Sequence, residues 1–171
     1  QYIIIPDDSK LQKINKYAFA NTAIESFSIP QNLTVISEGT FDECRQLHEI
    51  EIPKDSKLQN IELCAFQYSL LNSIYIPSNV SQLKKSVFEY IPKMRKVIIS
   101  EKNPYYKSYD DKLIFSKSEK SDIFDVLDFA IYNIEAAYIP KYISTIEKEA
   151  FFRCKKLHKI EFQEDSNLQK I

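Results

Sequence analysis

Along this chain the hydrophobic positions fall into short alternating triplets, most of them closed by proline. Ile3-Ile4-Ile5-Pro6, Phe27-Ser28-Ile29-Pro30, Ile50-Glu51-Ile52-Pro53, Ile74-Tyr75-Ile76-Pro77 and Ala137-Tyr138-Ile139-Pro140 share this form. Val97-Ile98-Ile99 and Ile160-Glu161-Phe162 keep the apolar pair without proline, making seven copies spaced 23 or 24 residues apart, with one gap of about 40. A second marker keeps step with the first: Ala18-Phe19, Thr40-Phe41, Ala65-Phe66, Val87-Phe88 and Ala150-Phe151. An apolar residue precedes each of these Phe by five positions, at Ile14, Ile36, Ile61, Leu83 and Ile146. Asp-Ser-x-Leu-Gln-x-Ile marks a longer form of the repeat at Asp8–Ile14, Asp55–Ile61 and Asp165–Ile171, alternating with a shorter one, so the unit of duplication reads as a pair.

A unit this short cannot bury its own apolar face, and two coupled markers at one period predict a solenoid whose turns bury each other. Each triplet has the in-out-in alternation of a strand with one buried face. Proline ends the strand because it has no N–H to continue the ladder. The expected fold is β-rich, with a parallel sheet on the concave face, a short extended piece before each Phe and a helical turn around it. The Phe rings should stack inside as a ladder. The long gap, roughly residues 101–136 with an apolar stretch from Ile123 to Ile134, predicts a hairpin and a loop projecting from one edge. Residues 1–171 thus read as one solenoid of about seven strand repeats, uncapped at both ends and excerpted from a longer array.

The clearest copy runs from Ile139-Pro140 through Ile143, Ile146, Ala150-Phe151 and Cys154 to Leu157. It resembles the BspA-like, treponemal-type leucine-rich repeat, and the resemblance covers nearly the whole chain. Asn103-Pro104-Tyr105-Tyr106 through Leu113-Ile114-Phe115-Ser116 is similar to a hairpin insertion common in that family. Asp111 stands where the family has glycine, and Asp tolerates the left-handed conformation better than most residues. The family's glycine ahead of the Phe is replaced by Asn15, Ser37, Glu62, Lys84 and Glu147. The resemblance implies a leucine-rich-repeat solenoid that binds other proteins and catalyses nothing. The family includes adhesins of bacteria and protozoan parasites. A surface-exposed or secreted recognition protein, binding a host matrix or cell-surface protein, is therefore the leading expectation. An intracellular scaffold using the same face is the alternative, and an enzyme module elsewhere in a longer chain is a third reading.

Composition narrows the chemistry. With 23 basic and 24 acidic residues the formal net charge is -1, so no field favours nucleic acid or an anionic membrane as partner. Gly39 is the only glycine, which argues against the glycine-rich loops that cradle phosphates and against a small-molecule cofactor of that kind. No apolar run approaches the ~18 residues of a membrane span. Cys44, Cys64 and Cys154 have neither disulfide-framework nor metal spacing, and Cys44 and Cys154 repeat each other as buried residues. His48 and His158 also repeat each other, roughly 19 Å apart along the stack at the usual strand spacing, too far to share a metal or a substrate. No catalytic residue and no metal ligand is assigned. Asp122, Asp125 and Asp128 allow a calcium reading in principle but lack its glycine and ligand list, so they read as a solvated face. Asn32-Leu33-Thr34 and Asn79-Val80-Ser81 are glycosylation acceptors by pattern.

The stacked sheet offers a strip of outward side chains roughly 30 Å long at the usual strand spacing, room for an interface of ordinary size. Its central row carries Ile4 and then the candidate binding residues Ser28, Glu51, Tyr75, Ile98, Tyr138 and Glu161, with Tyr75, Ile98 and Tyr138 expected on neighbouring rungs. Exposed Tyr anchors interfaces, although Tyr and Ile also simply suit strands. Tyr105, Tyr106, Tyr109 and Phe115 of the insertion are the other candidate surface, with local packing as their plainer role.

Overall fold

The computed structural model describes residues 3–6, 8–119 and 121–171, and these wind into a β-solenoid with almost no helix. The strands in chain order are β1 (Lys13–Ile14), β2 (Ser26–Ser28), β3 (Val35–Ile36), β4 (Glu49–Glu51), β5 (Asn60–Ile61), β6 (Ser73–Ile76) and β7 (Gln82–Leu83). They continue with β8 (Lys96–Ile99), β9 (Tyr106–Tyr109), β10 (Leu113–Ser116), β11 (Val126–Ala130), β12 (Ala136–Ile139), β13 (Thr145–Ile146) and β14 (Lys159–Phe162). The helical turns expected around the Phe residues are hydrogen-bonded turns, and only Lys85–Phe88 completes a turn of 3-10 helix.

Two sides of each turn are extended. On one, β1, β3, β5 and β7 form a continuous parallel sheet. Each strand there is only two residues long because a single residue, Ile14, Ile36, Ile61 or Leu83, points into the core. On the other, the triplet strands pair in parallel two by two: β2 with β4, β6 with β8, and β12 with β14. Partners in these ladders stand 23 residues apart, as Ser26 with Glu49, Ser73 with Lys96 and Ala136 with Lys159. From Ile50 to Ile74 the step is 24, and there the ladder lapses, leaving the Leu70 N–H donating to the Leu47 carbonyl at 2.8 Å. Ile3–Ile5 stand at the same longer step before β2, and they form no strand: Ile3 and Ile5 pack on the core while Ile4 faces solvent. The paired duplication read from the sequence is visible in three dimensions. Ile14 and Ile61, Ile36 and Leu83, Phe41 and Phe88, and Ile50 and Val97 lie 47 residues apart and are all buried.

The Phe ladder forms inside. Phe41 stacks on Phe19 at 5.6 Å and on Phe66 at 5.7 Å, the latter pair only 7° from parallel. Phe41 and Phe66 are fully buried, whereas Phe151, in the last turn, is only partly so. Outside the same turns, Arg45 lies over the Tyr68 ring, Tyr68 meets Tyr90 at 4.9 Å, and Arg153 caps Tyr90 at 4.4 Å. This cation–π stack ties the turns before the insertion to the last one, each such contact contributing about 0.5–2 kcal/mol.

The insertion differs from the expected projecting loop. β9 and β10 form an antiparallel hairpin around Asp110 and Asp111, both left-handed at φ 52° and 53°, as a tight primed turn requires. The chain then returns into the stack. β11 pairs antiparallel with β10 and parallel with β13, which places Leu127 beside Ile146 as one more core rung. Val126, Leu127, Phe129, Ile131 and Ile134 are buried, and Phe129 meets Phe88 at 5.7 Å. The apolar stretch of the insertion is therefore core, because an apolar run of this length lowers the free energy most by rejoining the stack.

Left-handed residues bracket every ladder Phe but Phe88, which has one only after it. Tyr17, Cys64 and Glu149 stand two before their Phe and Asn21, Glu43, Tyr68, Tyr90 and Arg153 two after. The sole glycine, Gly39, occupies one of these positions at φ 60°, and the Tyr17 ring lies where its Cβ would be, at 2.2 Å. Gly39→Ala is expected to destabilise the chain by about 1–2 kcal/mol from the backbone and about 1–3 kcal/mol more from overpacking. Adding Tyr17→Ala should recover the packing part, as read by urea denaturation; equal stability of the single and double variants would contradict this account. Phe66→Ala should cost about 3–5 kcal/mol, and Phe151→Ala clearly less.

Candidate protein-binding face

The side chains expected on the triplet face do point outward. Ser28 and Glu51 are exposed on β2 and β4, where the Ser28 hydroxyl donates to Glu51 Oε2 at 2.9 Å. Tyr75 is half-buried on β6 and sits in register beside Ile98 on β8. Tyr138 on β12 is in register with Glu161 on β14, whose carboxylate holds Lys159 at 2.7 Å. Ile98 and Tyr138 are 42% and 43% exposed, high for such large apolar side chains.

The structure corrects one placement. Ile98 and Tyr138 are not neighbouring rungs, because the β9–β10 hairpin occupies the free edge of β8. The Val97 N–H, which a next strand would have taken, donates to the Asp111 carbonyl at 2.8 Å. The Lys112 carbonyl accepts from Ile131 N–H at 2.9 Å, fixing the other flank of the hairpin. Tyr106 closes the β7 edge in the same manner. Its hydroxyl accepts from Leu83 N–H at 3.2 Å and donates to the Ser81 carbonyl at 3.3 Å, standing in for a peptide group. Burial, above all, raises the pKa of this phenol. Of the insertion's aromatic residues, Phe115 is fully buried and Tyr106 partly, while Tyr105 and Tyr109 remain 49% and 36% exposed.

The hairpin thus divides the strip into two open clefts. The first, about 860 Å³, has Tyr75 and Ile98 as its floor and Tyr106, Lys107 and Ser108 as its wall, with Phe124, Lys54 and Lys102 at its rim. The second, about 440 Å³, lies between Tyr109 and the Tyr138–Glu161 pair. Sequence reasoning missed Lys54, Lys102, Lys107 and Phe124. They come from separate segments that only the folded hairpin brings together, so no local pattern marks them.

Other sequence candidates have structural roles. The Cys44 thiol donates to the Phe19 carbonyl at 3.0 Å and the Cys154 thiol to the Ile131 carbonyl at 3.6 Å, each bonding back to an earlier turn. Burial pushes the Cys154 thiol up to about 11, and burial followed by Asp42, Glu89 and Glu38 raises Cys64, the opposite of an activated nucleophile. His48 and His158 are exposed and placed alike, each Nδ1 near the carbonyl two residues before it. The amide nitrogens of Asn32 and Asn79 donate to the Ser9 and Ser56 carbonyls one turn earlier, at 2.9 and 2.7 Å. Among the described residues no group of three His, Cys, Asp or Glu could hold a metal.

The acidic trio is not a solvated face. Asp122 is exposed, but Asp125 is buried and accepts from Ser118 N–H and Oγ at 2.9 Å and from Ser144 Oγ at 2.7 Å. Burial pushes its pKa up, and these hydrogen bonds together outweigh that and hold the carboxyl below its usual range. Asp128 lacks such a set: Oδ2 is buried without a partner. Burial raises it to about 6 from 3.8, with Glu147 adding to the rise and Ser116 opposing it. Such a carboxyl favours folding fully below pH 3.8, and that contribution is lost as pH rises through about 6. Asp128→Asn should therefore stabilise the chain at pH 7.5 by roughly 3 kcal/mol and change little at pH 4. Denaturant midpoints at the two pH values check this, and an equal effect at both would refute it.

Stacked parallel ladders with one inward residue per two-residue strand define a leucine-rich-repeat solenoid. The BspA type leucine-rich repeat region matches residues 2–124 and 125–171 in six copies, and the chain belongs to this family. No curated protein matches the chain in sequence. Among solved structures, the pneumococcal vaccine antigen PcpA superposes with a TM-score of 0.77 at 25% identity, over 92% of this chain and 38% of that one. A leucine-rich cell surface protein from Faecalibacterium prausnitzii A2-165 gives 0.62 at 22% identity, over 86% and 41%. A leucine-rich repeat protein from Bacteroides ovatus ATCC 8483 gives 0.62 at 20% identity, over 95% and 37%. The chain spans about two-fifths of the length of these structures. Proteins built this way are typically non-catalytic modules that bind other proteins. Among the described residues no helix is long and apolar enough to cross a membrane.

Proposed function

We propose that this chain is the recognition segment of a surface-exposed or secreted adhesin, binding a host matrix or cell-surface protein through the triplet face. The observation that carries the reading is the first cleft. There half-buried Tyr75 and exposed Ile98 lie side by side, and the hairpin supplies a wall. A concave site with apolar floor and polar rim is the arrangement in which a few anchors supply most of the binding energy. Likeness to a vaccine antigen supports an outward-facing location, since an antigen of that use is reached from outside the cell. Ser28, Glu51, Tyr138 and Glu161 extend the face on either side and act as rim. Catalysis has no part in the reading: the Nδ1 atoms of the exposed histidines each lie near a backbone carbonyl, and the thiols of Cys64 and Cys154 are shifted away from reactivity.

Antibody raised against this segment should stain intact, unpermeabilised cells. Staining only after permeabilisation, with the epitope shown accessible, would overturn the surface assignment and favour an intracellular scaffold. Binding to immobilised matrix and cell-surface proteins should fall by about tenfold or more in Ile98→Asp and in Tyr75→Ala. It should persist in Leu63→Asp, which alters an exposed apolar residue beside β5, off the triplet face.

A further inference from the structure

The two clefts beside the hairpin differ in charge. In the second, charges are matched within the chain: Lys112 lies 3.3 Å from Asp110, and Lys159 lies 2.7 Å from Glu161. In the first, Lys54, Lys102 and Lys107 line the same space, and none of them forms an ion pair among the described residues. Two carboxylates share that space. Asp111 faces Lys96 at 4.0 Å, which leaves Glu101 opposite three unmatched ammonium groups. These lysines stand around an apolar floor of Tyr75 and Ile98, with Phe124 beside them.

Unpaired positive charges around accessible apolar anchors are complementary to a particular ligand chemistry. The ligand should bring carboxylates for the rim and at least one large apolar side chain for the floor. A polysaccharide or nucleic acid would supply anions without an apolar side chain, and would leave Ile98 facing water. An extended protein segment supplies both. Its acidic side chains can alternate with apolar ones along one edge, matching the period of the strands beneath it. Complementarity of this kind steers association and discriminates between partners more than it adds affinity, because the rim lysines are solvent-exposed.

We propose that the first cleft receives an acidic, extended segment of a protein partner, with an apolar side chain seated over Tyr75 and Ile98 and carboxylates facing Lys54, Lys102 and Lys107. The proposal rests on the protein-binding reading of this face and specifies the partner's chemistry. It separates this cleft from its neighbour across the hairpin, whose self-paired charges select no sign.

The test is selection from a random dodecapeptide library on the intact chain, followed by titration of a selected peptide. Selected sequences should be enriched in Asp and Glu together with Leu, Ile, Phe or Tyr. The selected peptide should bind roughly tenfold or more weakly to the Lys54→Glu, Lys102→Glu, Lys107→Glu triple variant and should weaken as salt is raised. Charge reversal at Lys112, which lines the second cleft, and at Lys159, which pairs with its Glu161, should leave binding unchanged. Circular dichroism and the denaturation midpoint verify that the triple variant is folded; should it not be, the three Lys→Gln substitutions carry the same comparison with a smaller expected loss. Enrichment of basic or neutral peptides whose binding is lost in Ile98→Asp would overturn the acidic assignment and leave the protein-binding reading standing. Binding of heparin at this cleft, with no peptide enriched, would overturn the assignment in favour of a glycan. Selection of no ligand of any kind would also overturn it, and the reading beneath it would then stand or fall on the matrix-binding comparison of Ile98→Asp and Leu63→Asp.

Discussion

Each turn of this solenoid has its backbone peptide groups half-paired until another turn lies against it, and the architecture answers that constraint at nearly every position. An unpaired buried N–H or C=O costs about 1–3 kcal/mol, so a stack lacking continuous ladders would not hold together. The strands supply two ladders. A third runs through the turns around Phe19, Phe41 and Phe66, which are not strands at all. There Tyr17, Phe19 and Asn21 donate to Glu38, Thr40 and Asp42, and Gly39, Phe41 and Glu43 donate to Leu63, Ala65 and Gln67. Every second N–H there points toward the next turn, with left-handed residues at Tyr17, Asn21, Gly39 and Glu43 among the donors. A left-handed residue with a side chain costs about 1–2 kcal/mol. The chain accepts that cost at Tyr17, Cys64 and Glu149, where a glycine would serve, and the ladder bonds with the buried Phe offset it. Gly39 stays glycine for a different reason: the tyrosine one turn earlier has taken the space of its Cβ.

The same constraint explains how the insertion is accommodated. A hairpin placed in a solenoid leaves strand edges on each side without partners. β7 is met by the hydroxyl of Tyr106, β8 by the carbonyl of Asp111, and the next rung of the core is supplied by β11. The hairpin is therefore part of the stack, fixed at three edges, and its outer strand β9 stands as a firm wall beside the triplet face. Loss of regularity on the inside and gain of relief on the outside have one cause.

Most of the scaffold was legible in the sequence because it depends on period. Ile14, Ile36, Ile61 and Leu83 announced the inner rungs, the Phe residues their ladder, and the triplets the outward positions of Tyr75, Ile98 and Tyr138. Asp111 in the hairpin turn was legible from backbone tolerance alone. What escaped was whatever depends on the break in the period. Val126-Leu127-Asp128-Phe129 carries no closing proline, so its return to the core had no marker. The spacing of Asp122, Asp125 and Asp128 invited a surface reading, yet β11 turns inward and Asp125 is spoken for by two serines from either side. The separation of Ile98 from Tyr138 also followed from the hairpin, as did the gathering of Lys54, Lys102 and Lys107 around one cleft.

A repeat surface has a difficulty as a binding site: every turn offers nearly the same position, so a partner could settle in several registers. Here the triplet face changes along its length, from Ser28 and Glu51 through Tyr75 and Ile98 to Tyr138 and Glu161, and that gradient already disfavours a shift by one turn. The hairpin removes the remaining ambiguity. It stands at one place only, and the cleft beside it is the one where apolar floor, wall and unmatched charge coincide. Register-shifting a partner by one turn would move its apolar anchor from the Tyr75–Ile98 pair to Tyr75 and Glu51, or into the hairpin itself, and its charges away from the lysines. On the proposed reading, specificity on this solenoid arises where the repeat is broken, while the repeats on either side supply the rigidity that keeps the broken turn in place.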